Sequence, residues 1–305
     1  LRSAVTSLAP YLAGRRATSA EIAPLASNES HFPPLPSVLA QVAASAGRIN
    51  RYPDSAAVEL RERIAAHVGV TADEVAVGPG SVGVLQQIIE SVCDARDEGV
   101  FAWRALEDYQ MLDTLGHDLP AMVAAITDRT RLVLLCTPNN PTGVTIAGAD
   151  LDRFLAAVPS DVLVVIDEAY LEYATGERLD ALARYRAHPN VCVLRTFSKL
   201  YGMAGLRCGF ALARPELLKR LEHFGANPMP VTATAAAIAS LGDAGLVAQR
   251  KRETARVREE TFAWLRAQGH TFMPSNTNCF LLDAGRPGKP VMAAMAERGV
   301  VIGRT

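Results

Sequence analysis

Lys199 lies in Val-Leu-Arg-Thr-Phe-Ser-Lys-Leu-Tyr-Gly-Met-Ala-Gly-Leu-Arg-Cys-Gly-Phe (193–210), directly after an apolar, strand-like run. Thr196 and Ser198 precede it and Arg207 follows. A lone lysine is normally a solvated surface charge. One bracketed by small hydroxyls, a glycine-rich turn and an apolar strand is set to face a pocket. Desolvation beside another cation lowers a lysine's proton affinity and frees the amine to attack a carbonyl, giving a Schiff base. A guanidinium matches phosphate oxygens two at a time, so Arg207 with Thr196 and Ser198 reads as a phosphate clamp. A phosphorylated aldehyde satisfies both halves, and pyridoxal phosphate is that molecule.

Other residues can serve the same chemistry, each against a plainer alternative. Asp167 ends Val-Leu-Val-Val-Ile and opens Asp-Glu-Ala-Tyr. A carboxylate there is commonly a helix cap; beside a pyridine nitrogen it would keep that nitrogen protonated, so the ring can accept the electrons of a breaking Cα–H bond. Tyr170 is a core tyrosine or a donor to the ring's phenolic oxygen. Asn140, in Thr-Pro-Asn-Asn-Pro-Thr-Gly (137–143), sits in an ordinary turn sequence, yet its amide can reach the same oxygen. Gly78-Pro79-Gly80-Ser81-Val82 joins a strand to a helix. Such a turn presents free backbone N–H groups, a ready phosphate site, with Gly80 and Ser81 at its centre. Arg51-Tyr52-Pro53-Asp54 reads as a loop aromatic packed on the core.

These residues need a scaffold that gathers them. Val75–Val77, Arg131–Cys136, Val162–Ile166 and Val191–Leu194 are short, β-branched-rich and bounded by turn formers, as buried parallel strands are. Ala56–Val68, Ser81–Val92, Asp150–Val158 and Arg214–Phe224 carry apolar residues one helical turn apart. Strand–helix alternation predicts an α/β fold with a mainly parallel sheet, whose ligand site lies at the carboxyl ends of the strands. Each chemically suggestive residue from Gly80 to Lys199 follows one of those strands. Further on, a charged helix over Ala244–Gln268, a strand at Asn278–Asp283, a Gly/Pro-rich hinge, another helix and an apolar run at Gly299–Ile302 predict a smaller α+β domain. The expected division is 47–225 for the large domain and 1–46 with 226–305 for the small one.

At 305 residues the chain suits one large and one small domain. Lys and Arg number 31 against 32 for Asp and Glu, so charge gives no case for nucleic acid or an anionic membrane. No apolar run has the length of a bilayer span and no signal-peptide pattern opens the sequence. The five cysteines are scattered without a C-x-x-C pair, and the six histidines lack metal-ligand spacing. A reduced, metal-free, cytoplasmic protein is the expectation.

Asn-Arg-Tyr-Pro-Asp (50–54), Pro-Asn-Asn-Pro-Thr-Gly (138–143), Asp-Glu-Ala-Tyr (167–170) and Arg-Thr-Phe-Ser-Lys-x-Tyr-Gly-x-Ala-Gly-Leu-Arg (195–207) occur in this order. Together they resemble the histidinol-phosphate aminotransferase family, within the fold-type I pyridoxal-phosphate-dependent aminotransferases, from Leu25-Ala-Ser-Asn-Glu to Arg304. The resemblance implies that Lys199 carries the cofactor and shuttles a proton, that Asp167 pairs with the pyridinium, and that Tyr170 and Asn140 contact the phenolic oxygen. It further implies that Ser198, Arg207 and the Gly80–Ser81 turn hold phosphate, joined by Tyr52 from the neighbouring subunit of a homodimer. Asn28 and Arg304 would face substrate.

The sequence departs from that family in three places. Leu106 stands where an aromatic ring over the cofactor belongs, leaving Trp103 or Tyr109 to serve. The stretch from Tyr109 to Pro138 is short, which implies one strand fewer. The sequence stops at Thr305, before the family's terminal strand with its carboxylate-binding arginine. Both gaps lead us to expect that segments of a longer chain are missing from this sequence. Histidinol phosphate with 2-oxoglutarate is the leading substrate pair on family grounds, and phenylalanine or tyrosine the alternative. A decarboxylase or lyase on the same fold would need the same cofactor apparatus. A regulatory pyridoxal-phosphate-binding module would normally bring a basic DNA-binding helix, which the first fifty residues lack.

Overall fold

The computed structural model describes residues 21–102, 115–176, 179, 181–221 and 228–303. Trp103, Leu106, Tyr109 and Arg304 lie outside the described residues. In chain order the elements begin β1 (Ala23–Pro24), α1 (Pro36–Ala46), α2 (Val58–Val68), β2 (Val75–Gly78), α3 (Gly80–Val92) and β3 (Glu98–Phe101). There follow α4 (Leu119–Ala124), β4 (Thr130–Cys136), α5 (Gly148–Ala157), β5 (Leu163–Asp167), α6 (Ala181–Ala187), β6 (Val191–Thr196) and β7 (Gly209–Leu212). The last are α7 (Pro215–Leu221), α8 (Val231–Leu241), α9 (Leu246–Ala267), α10 (Gly288–Ala296) and β8 (Val300–Val301). They gather into two compact units: Leu1–Asn28 with Asp283–Thr305, and Glu29–Leu282. In the first, β1 and β8 pair in parallel.

The larger unit is built on a six-stranded sheet of order β2-β7-β6-β5-β4-β3. β3 to β6 run parallel, while β7 is antiparallel to both its neighbours. Successive side chains of a strand point to opposite faces, and here both faces are buried. Val164, Ile166, Val191 and Val193 join one apolar cluster with Leu60 and Ile64 of α2, Leu151 and Phe154 of α5 and Ala233 and Ala236 of α8. Leu163, Val165, Cys192 and Leu194 join the other with Val84 and Ile88 of α3 and Leu218 and Leu221 of α7. Burial on both sides explains why these strands read as unbroken apolar runs. The mainly parallel α/β fold expected from the sequence is present. Among the described residues β3 forms one edge of the sheet, and no single helix is long and apolar enough to cross a membrane.

One predicted strand did not form as expected. Asn278–Asp283 contributes only an isolated antiparallel bridge, Phe272 to Leu282, with Met273 N–H donating to Leu281 O at 2.9 Å. The Thr277 hydroxyl donates to the Cys279 carbonyl at 2.8 Å and accepts from the Cys279 amide at 3.1 Å. A side chain that occupies both backbone groups of a neighbour takes them from a ladder.

Candidate active site

The turn between β6 and β7 brings the first cluster together. Thr196 pairs with Gly209 across the two antiparallel strands, and Phe197 N–H donates to Cys208 O at 3.0 Å. Lys199 sits in the bracket this closes. The Thr196 hydroxyl lies 2.9 Å from Ser198 Oγ and 3.1 Å from the Ser198 amide nitrogen, which fixes Ser198. Arg207, at φ 55°, donates through Nη1 to Ser198 Oγ at 3.3 Å and to Ala204 O at 3.0 Å.

The start of α3 packs against this bracket. Gly80 has φ 80°, and a Cβ there would run into the Arg207 guanidinium. A Cβ on Gly209 would strike the Ser81 amide, so the backbone of β7 approaches the helix N-terminus as closely as glycine allows. Ser81 and Ser198 are buried. An unblocked helix N-terminus, a guanidinium and two small hydroxyls thus converge on one place, an arrangement that suits a doubly charged oxyanion.

Asp167 closes β5 directly beside Cys136 at the end of β4. Its carboxylate accepts from Ala169 N–H at 3.0 Å, and its carbonyl from Thr137 N–H at 3.0 Å. Its surroundings withhold water, which raises its pKa from 3.8 to about 6, although the Ala169 N–H and the charge of Lys199 pull the other way. Lys199 Nζ stands 5.3 Å from the centre of the Tyr170 ring. Burial depresses its pKa, Arg207 depresses it further, and Cys279, Glu29 and Asp167 oppose the shift. The structure therefore brings together Lys199, Asp167, Tyr170, Thr196, Ser198, Arg207, Gly80 and Ser81.

Asn140 lies in a loop docked onto a second segment. Gly143, at φ 72°, passes so near Ser275 that a Cβ would overlap it, and Asn276 N–H donates to Gly143 O at 2.9 Å. Asn139 Nδ2 donates to Thr142 Oγ1 at 3.0 Å. Tyr52 is 99% exposed. Asn28, at φ 51°, belongs to the smaller compact unit.

The whole chain compares closely with proteins of one kind. The family model for aminotransferase class I and II matches residues 20–305. The chain belongs to that family. A protein called aromatic amino acid aminotransferase from Thermobifida fusca is 42% identical over 99% of this chain and 89% of its own length. One of the same name from Streptomyces coelicolor is 44% identical over 91% of this chain and 82% of its own. Histidinol-phosphate aminotransferase from Sinorhizobium meliloti, solved with pyridoxal-5′-phosphate, is 27% identical with a TM-score of 0.85, covering 99% of this chain and 88% of that one. Aspartate aminotransferase from Thermus thermophilus shares the fold, with a TM-score of 0.77 at 21% identity over 90% of this chain and 81% of that one.

This aminotransferase uses pyridoxal 5′-phosphate, and its described residues fit that group. The glycine-lined end of α3 beside Arg207 and Ser198 suits the phosphate. A carboxyl at the end of β5, in surroundings that withhold water, suits a ring cation, and a lysine of lowered proton affinity suits the aldehyde. Two neighbours of Lys199 escaped the sequence reading. Glu29 and Cys279 both act electrostatically on Lys199. Glu29 was visible only as the residue after Asn28, and Cys279 as one of several scattered cysteines. Neither carried a motif.

Proposed function

We propose that this aminotransferase acts on aromatic amino acids, passing the amino group of phenylalanine or tyrosine to 2-oxoglutarate. The observation that carries the reading is 42% identity, over nearly the whole chain, to a relative called aromatic amino acid aminotransferase. The histidinol-phosphate reading drawn from motif order now has the weaker support, since its solved neighbours stand at 26% and 27% identity.

In this reading Ser198, Arg207 and the amides of Gly80 and Ser81 hold the phosphate, with Thr196 orienting Ser198. Asp167 would keep a proton on the pyridine nitrogen, and Tyr170 and Asn140 would serve the phenolic oxygen. Pyridoxal phosphate, when bound, supplies the aldehyde that condenses with amines and a ring that draws electrons from the substrate's Cα–H bond. With the cofactor bound, Lys199 Nζ would take the proton from the substrate's Cα. Burial lowers the lysine's pKa, which eases loss of the proton that the amine must shed for that task. For Asn28 and Arg304 a substrate-binding role, and for Trp103 a cofactor-binding one, rest on the family resemblance alone.

Two copies form a homodimer in which Tyr52 of each reaches the other's phosphate. What supports this is the exposure of Ile49 (71%), Tyr52 (99%) and Val58 (50%) on one stretch. The functional domain boundary we propose, at residues 47 and 225, runs inside the larger compact unit.

The test is a single-turnover screen of the loaded enzyme. Phenylalanine, tyrosine and glutamate are expected to bleach the visible band of the bound cofactor, and histidinol phosphate is not. Bleaching by histidinol phosphate alone would restore the other substrate. No bleaching by any of the four would remove both.

A further inference from the structure

The lysine turn is tied from below by a residue that no motif announces. Arg250, on α9, is only 4% exposed. Its Nη1 donates to the carbonyl of Leu200, the residue after Lys199, at 3.0 Å. Its Nη2 donates to Pro33 O at 2.6 Å, and the guanidinium stacks on Phe32 with 5.2 Å to the ring centre. Gly202, at φ 72°, makes room: a Cβ there would sit 3.0 Å from Arg250 Nη1 and 3.1 Å from Phe32 O. Gly202 N–H in turn donates to Lys199 O at 2.9 Å.

The segment that Arg250 grips also bears on Lys199. Glu29 acts on the lysine's charge, and Asn278 Nδ2 donates to Glu29 O at 3.1 Å. One buried guanidinium therefore bridges the turn carrying the amine and the strap 29–33 that carries Glu29. A buried cation is costly unless its donors are used, and Arg250 spends them on two carbonyls and a ring rather than on a carboxylate. A hydrophobic side chain would fill the same space at less cost, so the polar contacts are the reason to have arginine there.

We infer that Arg250 is a positioning residue: it clamps the strap 29–33 to the Lys199 turn and holds the amine at its working depth and direction. This goes beyond the substrate assignment, because any amino donor would need the same amine.

The test compares Arg250→Met and Arg250→Lys with Phe262→Leu, a core change elsewhere on α9, where Phe262 packs on Phe272 and Phe280. Two readouts are needed. The first is kcat and KM of the loaded enzyme. The second is the pH profile of Lys199 acetylation by acetic anhydride in cofactor-free protein, followed by mass spectrometry. Arg250→Met is expected to lower kcat about tenfold to a hundredfold, as a misplaced reacting group does, with KM within roughly threefold. Its labelling midpoint is expected to move up toward an ordinary lysine, as a loosened turn admits water. The groups facing Lys199 are Cys279, Glu29, Arg207, Asp167 and the Tyr170 ring, and none of them is changed. Arg250→Lys keeps the charge but has a single nitrogen in place of the two that reach the Leu200 and Pro33 carbonyls, so both effects should be intermediate. If Arg250→Met melts earlier, as Phe262→Leu does, yet keeps kcat and the labelling midpoint of the parent, the arginine is merely structural and the inference is overturned. Should Arg250→Met fail to fold, parental values of kcat and labelling midpoint in Arg250→Lys overturn it equally.

Discussion

Asp167→Asn should act with opposite sign on the empty and the loaded protein. Burial lifts the Asp167 pKa from 3.8 to about 6. The folded chain thus holds this proton more tightly than the unfolded chain does. The stability this contributes is complete below pH ~4 and is lost as pH rises through about 6. Above that, the empty protein keeps a carboxylate its surroundings disfavour. A shift of about two units corresponds to about 3 kcal/mol, an upper bound because the residue is only partly buried by surface area. Asparagine keeps the acceptor for the Ala169 N–H and carries no charge. Cofactor-free Asp167→Asn should therefore gain up to about 3 kcal/mol at pH 8 and nothing at pH ~4. With cofactor present the carboxylate has a ring cation to meet. Losing one partner of a buried charge pair there should weaken binding by about 3 kcal/mol, roughly a hundredfold. The assays are urea unfolding of the empty protein from acid to neutral pH and fluorescence titration with pyridoxal phosphate. Parallel unfolding curves for both proteins across that range would refute the argument.

Three other substitutions probe the surroundings. Arg207→Lys keeps a charge but loses the fork, so cofactor affinity measured by equilibrium dialysis should fall by about 1.5–3 kcal/mol, with little change in urea midpoint. Glu168 is fully buried and pairs with Arg195 at 2.8 Å; Glu168→Gln strands that guanidinium and should lower unfolding free energy in urea by about 3 kcal/mol. Gly143→Ala places a Cβ inside Ser275 at φ 72°. Strain of about 1–3 kcal/mol plus the clash should lower the melting temperature and undock the loop that carries Asn140.

What the sequence disclosed was governed by burial. β2, β4, β5 and β6 were legible because strands covered on both faces become unbroken apolar runs between turn formers. α2 and α3 were legible because one face of each meets the sheet. β7 was not: Gly-Phe-Ala-Leu is short, fully buried and fused to the tail of a motif. α8 (Val-Thr-Ala-Thr-Ala-Ala-Ala-Ile-Ala-Ser-Leu) shows little contrast between faces, so periodicity has nothing to mark. The Lys199 cluster could be read because its members follow strand ends in one run of chain. Glu29 and Cys279, which act on Lys199, and Arg250, which holds the Leu200 carbonyl, could not, because they come to the lysine turn only through tertiary packing, and spacing along the chain carries no trace of that.

The pairing of Thr196 with Gly209 has a consequence for how the protein assembles. Lys199, Ser198 and Arg207 belong to one short closed loop, and contacts between near neighbours in sequence form early because little chain entropy is lost in closing them. Asp167 enters through a parallel crossover and must await longer-range docking. A refolding chain is therefore expected to own the Ser198–Arg207 part of its anion grip early, while Asp167 and, from a more distant part of the chain, Gly80 and Ser81 dock onto it later. Cofactor supplied during renaturation would meet a partial grip that tightens only as those two segments arrive.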